Sequence, residues 1–381
     1  MDFTFLSAGK IQFGCGGFDQ LGKLVASYGS RVLIVTQGDL LRRMGKWQLL
    51  VNQLHTEKLD FCLFDGVDSE PEPETLEAGL AAAEGCDVVL AIGGGSAIDT
   101  GKALAGLIPN GGPVTDYLEG VGNGRVMTRD PLPFIAVPTT SGTGAEVTKN
   151  AVITSRRDGY KKSFRSDKLL ANVALIDPLL TLNLPPAQTA ASGMDAITQL
   201  IESYISKKAQ PIPQAMAIAM LPRAYKALPI AVEDGQNQAA REEMALCATV
   251  SGLCLANSGL GAAHGIAASL GAHLGIGHGL ACAILLPHVM ALNFSAATPL
   301  LGDVGRALTG CAGPDDEAAR QGIAAIAALN ERVGIPKDLK GFGIDPELLP
   351  ALARDSQGSS MSGNPVQLDD AGWASFLAKL S

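Results

Sequence analysis

Gly93-Gly94-Gly95-Ser96-Ala97-Ile98-Asp99-Thr100-Gly101-Lys102 decides the reading of this chain. The run before it, Asp87-Val88-Val89-Leu90-Ala91-Ile92, has the length and composition of a buried strand. Ala103-Leu104-Ala105 after it continues as a helix. Three glycines at a strand-to-helix turn let the backbone approach a ligand without Cβ clashes. Free N–H groups at the start of the helix then point at an anion, most often a phosphate.

A second loop has the same character. Pro138-Thr139-Thr140-Ser141-Gly142-Thr143-Gly144-Ala145-Glu146-Val147-Thr148 follows the apolar run Phe134-Ile135-Ala136-Val137 and is rich in hydroxyls and free amides. Two such loops at strand ends of one α/β unit suit a diphosphate-containing cofactor. Strand-like runs at 31–36, 61–65, 87–92, 134–138 and 173–176 alternate with helical stretches such as 74–85. That alternation predicts a parallel sheet with helices on its faces. Gly14-Cys15-Gly16 begins like a GxGxxG fingerprint, but Asp19 stands where the third glycine belongs, so it reads as a turn. After Asp177-Pro178 long Ala/Leu/Met-rich helical patterns take over, at 187–206, 213–232 and 239–257, with Pro185-Pro186 at a helix start. The expected domains are residues 1–182, α/β and dinucleotide-binding, and 183–381, all-helical and carrying metal and substrate. Residues 355–366, rich in Ser and Gly, read as an exposed loop before a last short helix.

Bulk properties narrow the function classes. A chain of 381 residues is long for one core and suggests two domains. A net charge of −9 argues against nucleic-acid and anionic-membrane partners. The start, Met1-Asp2-Phe3-Thr4-Phe5, lacks a signal peptide's basic region, and no unbroken apolar run of about 18 residues is present. Seven cysteines without a CxxC suggest reduced thiols and a cytoplasmic protein, each cysteine a small core residue.

Of five histidines, four fall at 264, 273, 278 and 288. Asp195 and Gln199, four apart in a helical pattern, face the same way. His264 and His278 on one continuous helix would be about 21 Å apart. Two ligands of one ion, each about 2 Å from it, are much closer than that. The helix must therefore break between them, and Gly275-Ile276-Gly277 supplies the break. One carboxylate and two imidazoles suit a divalent first-row ion with an open position. His288 reads as a core or interface residue and His55 as a surface one. Cys254 and Cys282 flank this region without the spacing of a thiolate pair.

Together, GGGSxxDxxK and PTTSGTGAE resemble the iron-containing (group III) alcohol dehydrogenase family. The resemblance runs from Gly14 to the His264–His288 region and is loose beyond about residue 310. It implies a Rossmann-like α/β domain followed by an all-helical, dehydroquinate synthase-like domain, with the active site in the cleft between them. It implies NAD(P) and a divalent metal, Fe2+ or Zn2+. Asp195, His264 and His278 match the family's ligand pattern. Gln199 stands where a fourth ligand, histidine, is usual, and it can offer an amide oxygen or hold a water. Ala268 stands where many members carry a proton-relay histidine. His273, which otherwise reads as a cleft-lining or hydrogen-bonded residue, a water or a ribose hydroxyl is then the candidate relay. By the same resemblance Gly94, Gly95 and Ser96 contact the pyrophosphate, and Asp99 lies near the nicotinamide. Lys102 supports the loop or its phosphate, unless Asp99 and Lys102 are an exposed helical ion pair. Thr139, Thr140 and Thr143 surround adenine and ribose. Asn150 and Lys161 reach the nicotinamide ribose, with Lys162 the rival for Lys161. Gln37 stands where NAD-specific members carry an aspartate. Weak discrimination between NADH and NADPH is therefore expected, unless Asp39 takes that role; Arg42 and Arg43 are close enough in sequence to approach a 2′-phosphate.

The expected activity is that of a metal-dependent NAD(P)H alcohol dehydrogenase or aldehyde reductase acting on a small alcohol or aldehyde. A metal-free reductase of the maleylacetate reductase type is the alternative. A dehydroquinate synthase-type lyase needs more cations than Arg241, the one Lys or Arg in residues 240–290. A non-catalytic dinucleotide binder is the remaining reading. Family analogy, with the apolar segment Phe3–Phe5, predicts a homodimer.

Overall fold

Runs of Val, Ile, Leu and Ala that are buried on both faces build the first unit. The protein is described from a computed structural model, which covers residues 2–68 and 70–381. Leu6–Thr140 and Gly144–Asn183 form this unit. Its elements in chain order are β1 (Lys10–Phe13), α1 (Leu21–Ala26), β2 (Arg31–Val35), α2 (Leu40–Arg43), α3 (Trp47–Thr56) and β3 (Asp60–Phe64). Then come α4 (Pro73–Ala82), β4 (Val88–Gly93), α5 (Gly95–Asn110), β5 (Phe134–Pro138), β6 (Asn150–Ser155), β7 (Tyr160–Arg165) and β8 (Val173–Ile176). Six strands form one parallel sheet in the order β1-β8-β5-β4-β2-β3. Strands β4 and β5 are buried along their whole length, which is why they read as continuous apolar runs. Helix α5 lies close on them at Gly101, where a Cβ would meet the Cβ of Ala91 at 2.6 Å.

The five expected strands are present with ends within one residue. Two features were not anticipated. Strand β1 is a short, half-exposed strand that pairs with β8. Strands β6 and β7 form a separate antiparallel hairpin. Gly14–Gly16 is a turn, held by the buried Asp177 carboxylate, which accepts from the N–H groups of Gly16 and Phe18 at 3.1 Å each.

The second unit comprises residues up to Phe5, Ser141–Thr143 and Leu184–Ser381. Its helices are α6 (Pro186–Ile205), α7 (Pro211–Glu233), α8 (Gln238–Ser258), α9 (Ala262–Leu274) and α10 (His278–Leu292). They are followed by α11 (Phe294–Thr309), α12 (Asp315–Arg332), α13 (Leu349–Asp355) and α14 (Asp370–Ala378). The three expected helices appear as α6, α7 and α8 with ends within two residues. Their core joins Met194, Ile197 and Leu200 to Leu221, Leu228 and Met244. Among the described residues, α7 alone is by itself long and apolar enough to cross a membrane. In sequence its apolar run is interrupted by Pro213, Pro222, Arg223, Lys226 and Pro229. Here it packs against α6 and α8. Helix α9 ends at Gly275 in the left-handed conformation, φ 67°, and α10 begins at His278, so the expected break is real.

Two sequence expectations need correction. Residues 355–366 are not a simple exposed loop. Ser356, Met361 and Asn364 are buried, and Asn364 exchanges hydrogen bonds with Asn293 (2.8 and 2.9 Å) and accepts from the N–H of Ala262. Its polar side chain satisfies the start of α9, so polarity here marks a buried cap. The cysteines are also not all core residues: Cys15 is exposed, and Cys62 and Cys311 are half-buried.

Candidate metal centre and cofactor loops

Three helices of the second unit bring ligand atoms together. Asp195 comes from α6, His264 from the first turn of α9, and His278 and Cys282 from the first two turns of α10. One ligand atom from each lies within 4.8 Å of the others. His264 Nε2 is 3.2 Å from Asp195 Oδ1. Two ligands about 2.0 Å from a tetrahedral ion sit about 3.3 Å apart, so this pair already has the spacing of a coordination edge. Cys282 Sγ is 3.8 Å from His278 Nε2. The donor set of one carboxylate, two imidazoles and a thiol fits a divalent transition ion.

Glu202, which sequence reasoning missed, orients this group. Its Oε2 is 2.7 Å from His264 Nδ1, and its carboxylate accepts from the N–H groups of Gly261 (3.0 Å) and Ala263 (2.7 Å). One buried side chain thus caps α9 and accepts from His264 Nδ1–H, leaving Nε2 to face Asp195. The signal was present: Asp195, Gln199 and Glu202 fall at i, i+4 and i+7 on one helix face. The electrostatics call for a cation. Burial opposes a charge on His264, but Cys282, Asp195 and Glu202 around it raise its pKa well above the ordinary histidine value. Burial likewise works against the Asp195 carboxylate, yet its hydrogen bond with His264 and the charges of His278 and His264 hold its pKa below the usual value. Burial pushes the Cys282 thiol up to about 12.

Two expected site residues stand apart. Gln199 has both ends of its amide engaged: Oε1 accepts from the Ser251 hydroxyl (2.8 Å) and Nε2 donates to the carbonyl of Thr143 (3.2 Å). His273 lies nine residues beyond His264, on the opposite face of α9 and roughly 13 Å along its axis. Its Nε2 is bound by Asp355 at 2.8 Å, so it does not join the group. His288 is half-buried and hydrogen-bonded to the carbonyl of Lys337, and His55 is exposed.

The first unit carries the loops. Gly94 caps α5, and its N–H donates to Gln37 Oε1 at 3.0 Å. Gly95 and Ser96 form the first turn of α5. Lys102 is fully buried and is no exposed ion pair. Its ammonium donates to the carbonyls of Ala145 (2.7 Å) and Asn150 (2.8 Å) and to Thr148 Oγ1 (3.0 Å), fastening the second loop to α5. Burial lowers its pKa to about 8. Asp99 Oδ2 accepts from the Val152 N–H at 3.0 Å, and burial raises this carboxyl to about 6. Its Oδ1 and the Oδ1 of Asn150 are buried without a hydrogen-bond donor. Buried acceptors without donors are rare in native proteins, and a polar ligand would supply what these two lack. Thr139 and Thr140 follow β5, and the Thr139 N–H donates to the carbonyl of Gly93 at 2.9 Å. Lys161 is paired with Glu70 at 2.6 Å, and Lys162 points to the other face of the hairpin. Asp39 pairs with Arg43 at 2.7 Å, and Arg42 lies over the Trp47 ring.

Comparison with known proteins adds the following. The family profile "Iron-containing alcohol dehydrogenase" matches residues 8–178, and "Fe-containing alcohol dehydrogenase family, C-terminal" matches residues 189–379. Long-chain-alcohol dehydrogenase 1 of Geobacillus thermodenitrificans (strain NG80-2) is 35% identical over 364 residues, 94% of this chain and 91% of that one. A 1,3-propanediol dehydrogenase of Klebsiella pneumoniae is 35% identical over 359 residues, covering 92% and 91%. The solved structure of a 1,3-propanediol oxidoreductase superposes with a TM-score of 0.93 at 31% identity over 100% of both chains.

Proposed function

The chain belongs to the iron-containing alcohol dehydrogenase family and is an NAD-linked oxidoreductase acting on CH–OH groups; from that premise we propose that it interconverts a small alcohol and its aldehyde, accepting NADH or NADPH, with Asp195, His264 and His278 holding a divalent ion, Fe2+ or Zn2+. The observation that carries the metal centre is the convergence of these ligand atoms within 4.8 Å. When bound, the ion supplies Lewis-acid polarisation of the substrate oxygen, and the nicotinamide exchanges the hydride. Glu202 holds the His264 ring so that Nε2 is the coordinating atom. Lys102 fixes the second loop and lies 3.8 Å from Asp99 Oδ1, and the Asp99 and Asn150 oxygens that lack a hydrogen-bond donor would accept from the nicotinamide half of the cofactor. Gly94, Gly95 and Ser96 meet the pyrophosphate, and Thr139, Thr140 and Thr143 the adenosine. Lys161 serves the nicotinamide ribose only if it leaves Glu70. Proton transfer falls to water or a ribose hydroxyl, because α9 carries Ala268 one turn beyond His264 and His273 is turned away.

A metal-free reductase is the weaker reading, since Asp195 and Glu202 set two carboxylates against one buried imidazole. A homodimer is proposed from the family analogy, with Phe3, 37% exposed, available for pairing. The seven free thiols suit a reducing cytoplasm.

The test is His264→Ala and His278→Ala, singly and together. Each should lose the metal, measured by elemental analysis, and most turnover, while NADH affinity by fluorescence titration stays within about threefold. Full activity in the double variant would sink the metal mechanism.

A further inference from the structure

We propose that Cys282 binds the divalent ion as a thiolate, completing with Asp195, His264 and His278 a four-ligand centre that favours Zn2+ over Fe2+. The inference rests on the metal centre described above and concerns a residue that the family pattern does not supply.

Position is the first argument. His278 and Cys282 are the first and fifth residues of α10, one turn apart, so both side chains leave the helix on the same side. Cys282 Sγ is 3.8 Å from His278 Nε2. Its sulfur also lies within 4.8 Å of the ligand atoms of Asp195 and His264. For bond lengths of about 2.0 Å to nitrogen and 2.3 Å to sulfur, tetrahedral ligands are about 3.5 Å apart. The observed sulfur–nitrogen separation of 3.8 Å is within about 0.3 Å of that coordination edge. All four side chains are buried or half-buried, so the sulfur has no solvent face to turn to.

The donors available around the ion are the second ground. Glu202 is occupied by His264 Nδ1–H and two backbone N–H groups and is not a ligand. Gln199 offers no charge, and both ends of its amide are engaged. Coordination would break the S–H bond, the electron pair staying on sulfur to bind the ion and the proton leaving with the water that the incoming ion sheds. A thiolate is the softest ligand in the set and shifts preference toward Zn2+. Four protein ligands would leave a fifth position for the substrate oxygen.

The experiment uses the full-length protein, stripped of metal and titrated with Co2+ as the spectroscopic probe. The expected result is a thiolate-to-cobalt charge-transfer absorption in the near ultraviolet that saturates at one Co2+ per chain and is bleached by Zn2+. Cys282→Ser should abolish the absorption and raise the Co2+ dissociation constant at least about tenfold. Cys254→Ser, a buried thiol outside the group, should leave both unchanged. X-ray absorption of the Zn2+ form should show one sulfur at about 2.3 Å. Stoichiometric Co2+ binding without the absorption overturns the thiolate ligand and leaves the Asp/His/His centre standing. Persistence of the absorption in Cys282→Ser also overturns it. Failure of Co2+, Zn2+ and Fe2+ to bind at all overturns the metal centre itself.

Discussion

Gln37 makes one hydrogen bond that bears on coenzyme choice. Its Oε1 accepts from the Gly94 N–H at 3.0 Å, so the residue braces the glycine loop from the end of β2. It brings no charge to repel a 2′-phosphate. A buried carboxylate in its place would add like-charge repulsion and lost hydration worth several kcal/mol. Without one, discrimination between NADH and NADPH should be about tenfold to thirtyfold in kcat/KM, or about 1–2 kcal/mol. Gln37→Asp should depress NADPH use far more than NADH use in steady-state assays with both coenzymes. A wild-type preference for NADH of about a thousandfold would instead mean that Asp39 leaves Arg43 to meet the ribose. At this scale the ligand residues were legible where spacing carries the information. The helical face singled out Asp195, the break at Gly275–Gly277 followed from the fourteen-residue spacing, and the family resemblance chose His264 and His278 among the late histidines as proposed ligands. Cys282 was passed over because thiols were judged against one another, while its partner is the imidazole one turn earlier. Glu202 was legible on the Asp195 face of α6, but its contacts, like those of the Lys102 clamp, reach backbone atoms more than 40 residues away, which no local pattern records.

At the scale of elements, α5 carries two buried charges into the first unit, and pH should report them. Asp99 titrates near 6 in the fold against about 3.8 unfolded. Between those values the folded state keeps a proton that the unfolded chain has released. Stability therefore falls as pH rises from about 4 to 6, by on the order of 3 kcal/mol at most. Lys102 titrates near 8 against about 10.5. There the unfolded chain holds the extra proton, and stability rises from about pH 8 to 10.5. Denaturant melts of the cofactor-free protein across this range should show both limbs, and Asp99→Asn should flatten the acid one. Parallel curves for the two proteins would mean that Asp99 titrates normally. The strands that this helix covers were readable because burial on both faces makes them continuously apolar. Strand β1 was not, being four residues long and half-exposed. The β6–β7 hairpin was missed because Lys161, Ser163 and Arg165 make one face polar. Its Asp158-Gly159 turn was the available signal.

For the whole molecule, the two tryptophans give each unit its own reporter. Trp47 sits edge-on to Phe61 in the first unit, and Trp373 is fully buried in the second. Trp47→Phe and Trp373→Phe each leave a single emitter. Zn2+ at about a hundred times its dissociation constant should stabilise the transition read by Trp373 by about 2.7 kcal/mol. NADH at the same relative excess should do so for the transition read by Trp47. A Trp373 transition that ignores the metal would contradict the placement of the centre in the helical unit.

The three-residue joint between α9 and α10 has a consequence for how this gene product can change its length. His264 is counted from one end of that joint, and His278 and Cys282 from the other, with Gly275 fixed at φ 67° between them. A single codon gained or lost there would turn the second helix by about 100° relative to the first unless the backbone absorbed it. Substitutions at Ile276 leave that count intact; slippage errors do not. Anyone wishing to insert a tag, a reporter or new termini should open the chain elsewhere, such as the exposed stretch from Glu119 to Asp130, and treat residues 264–282 as a ruler whose markings matter more than the wood between them.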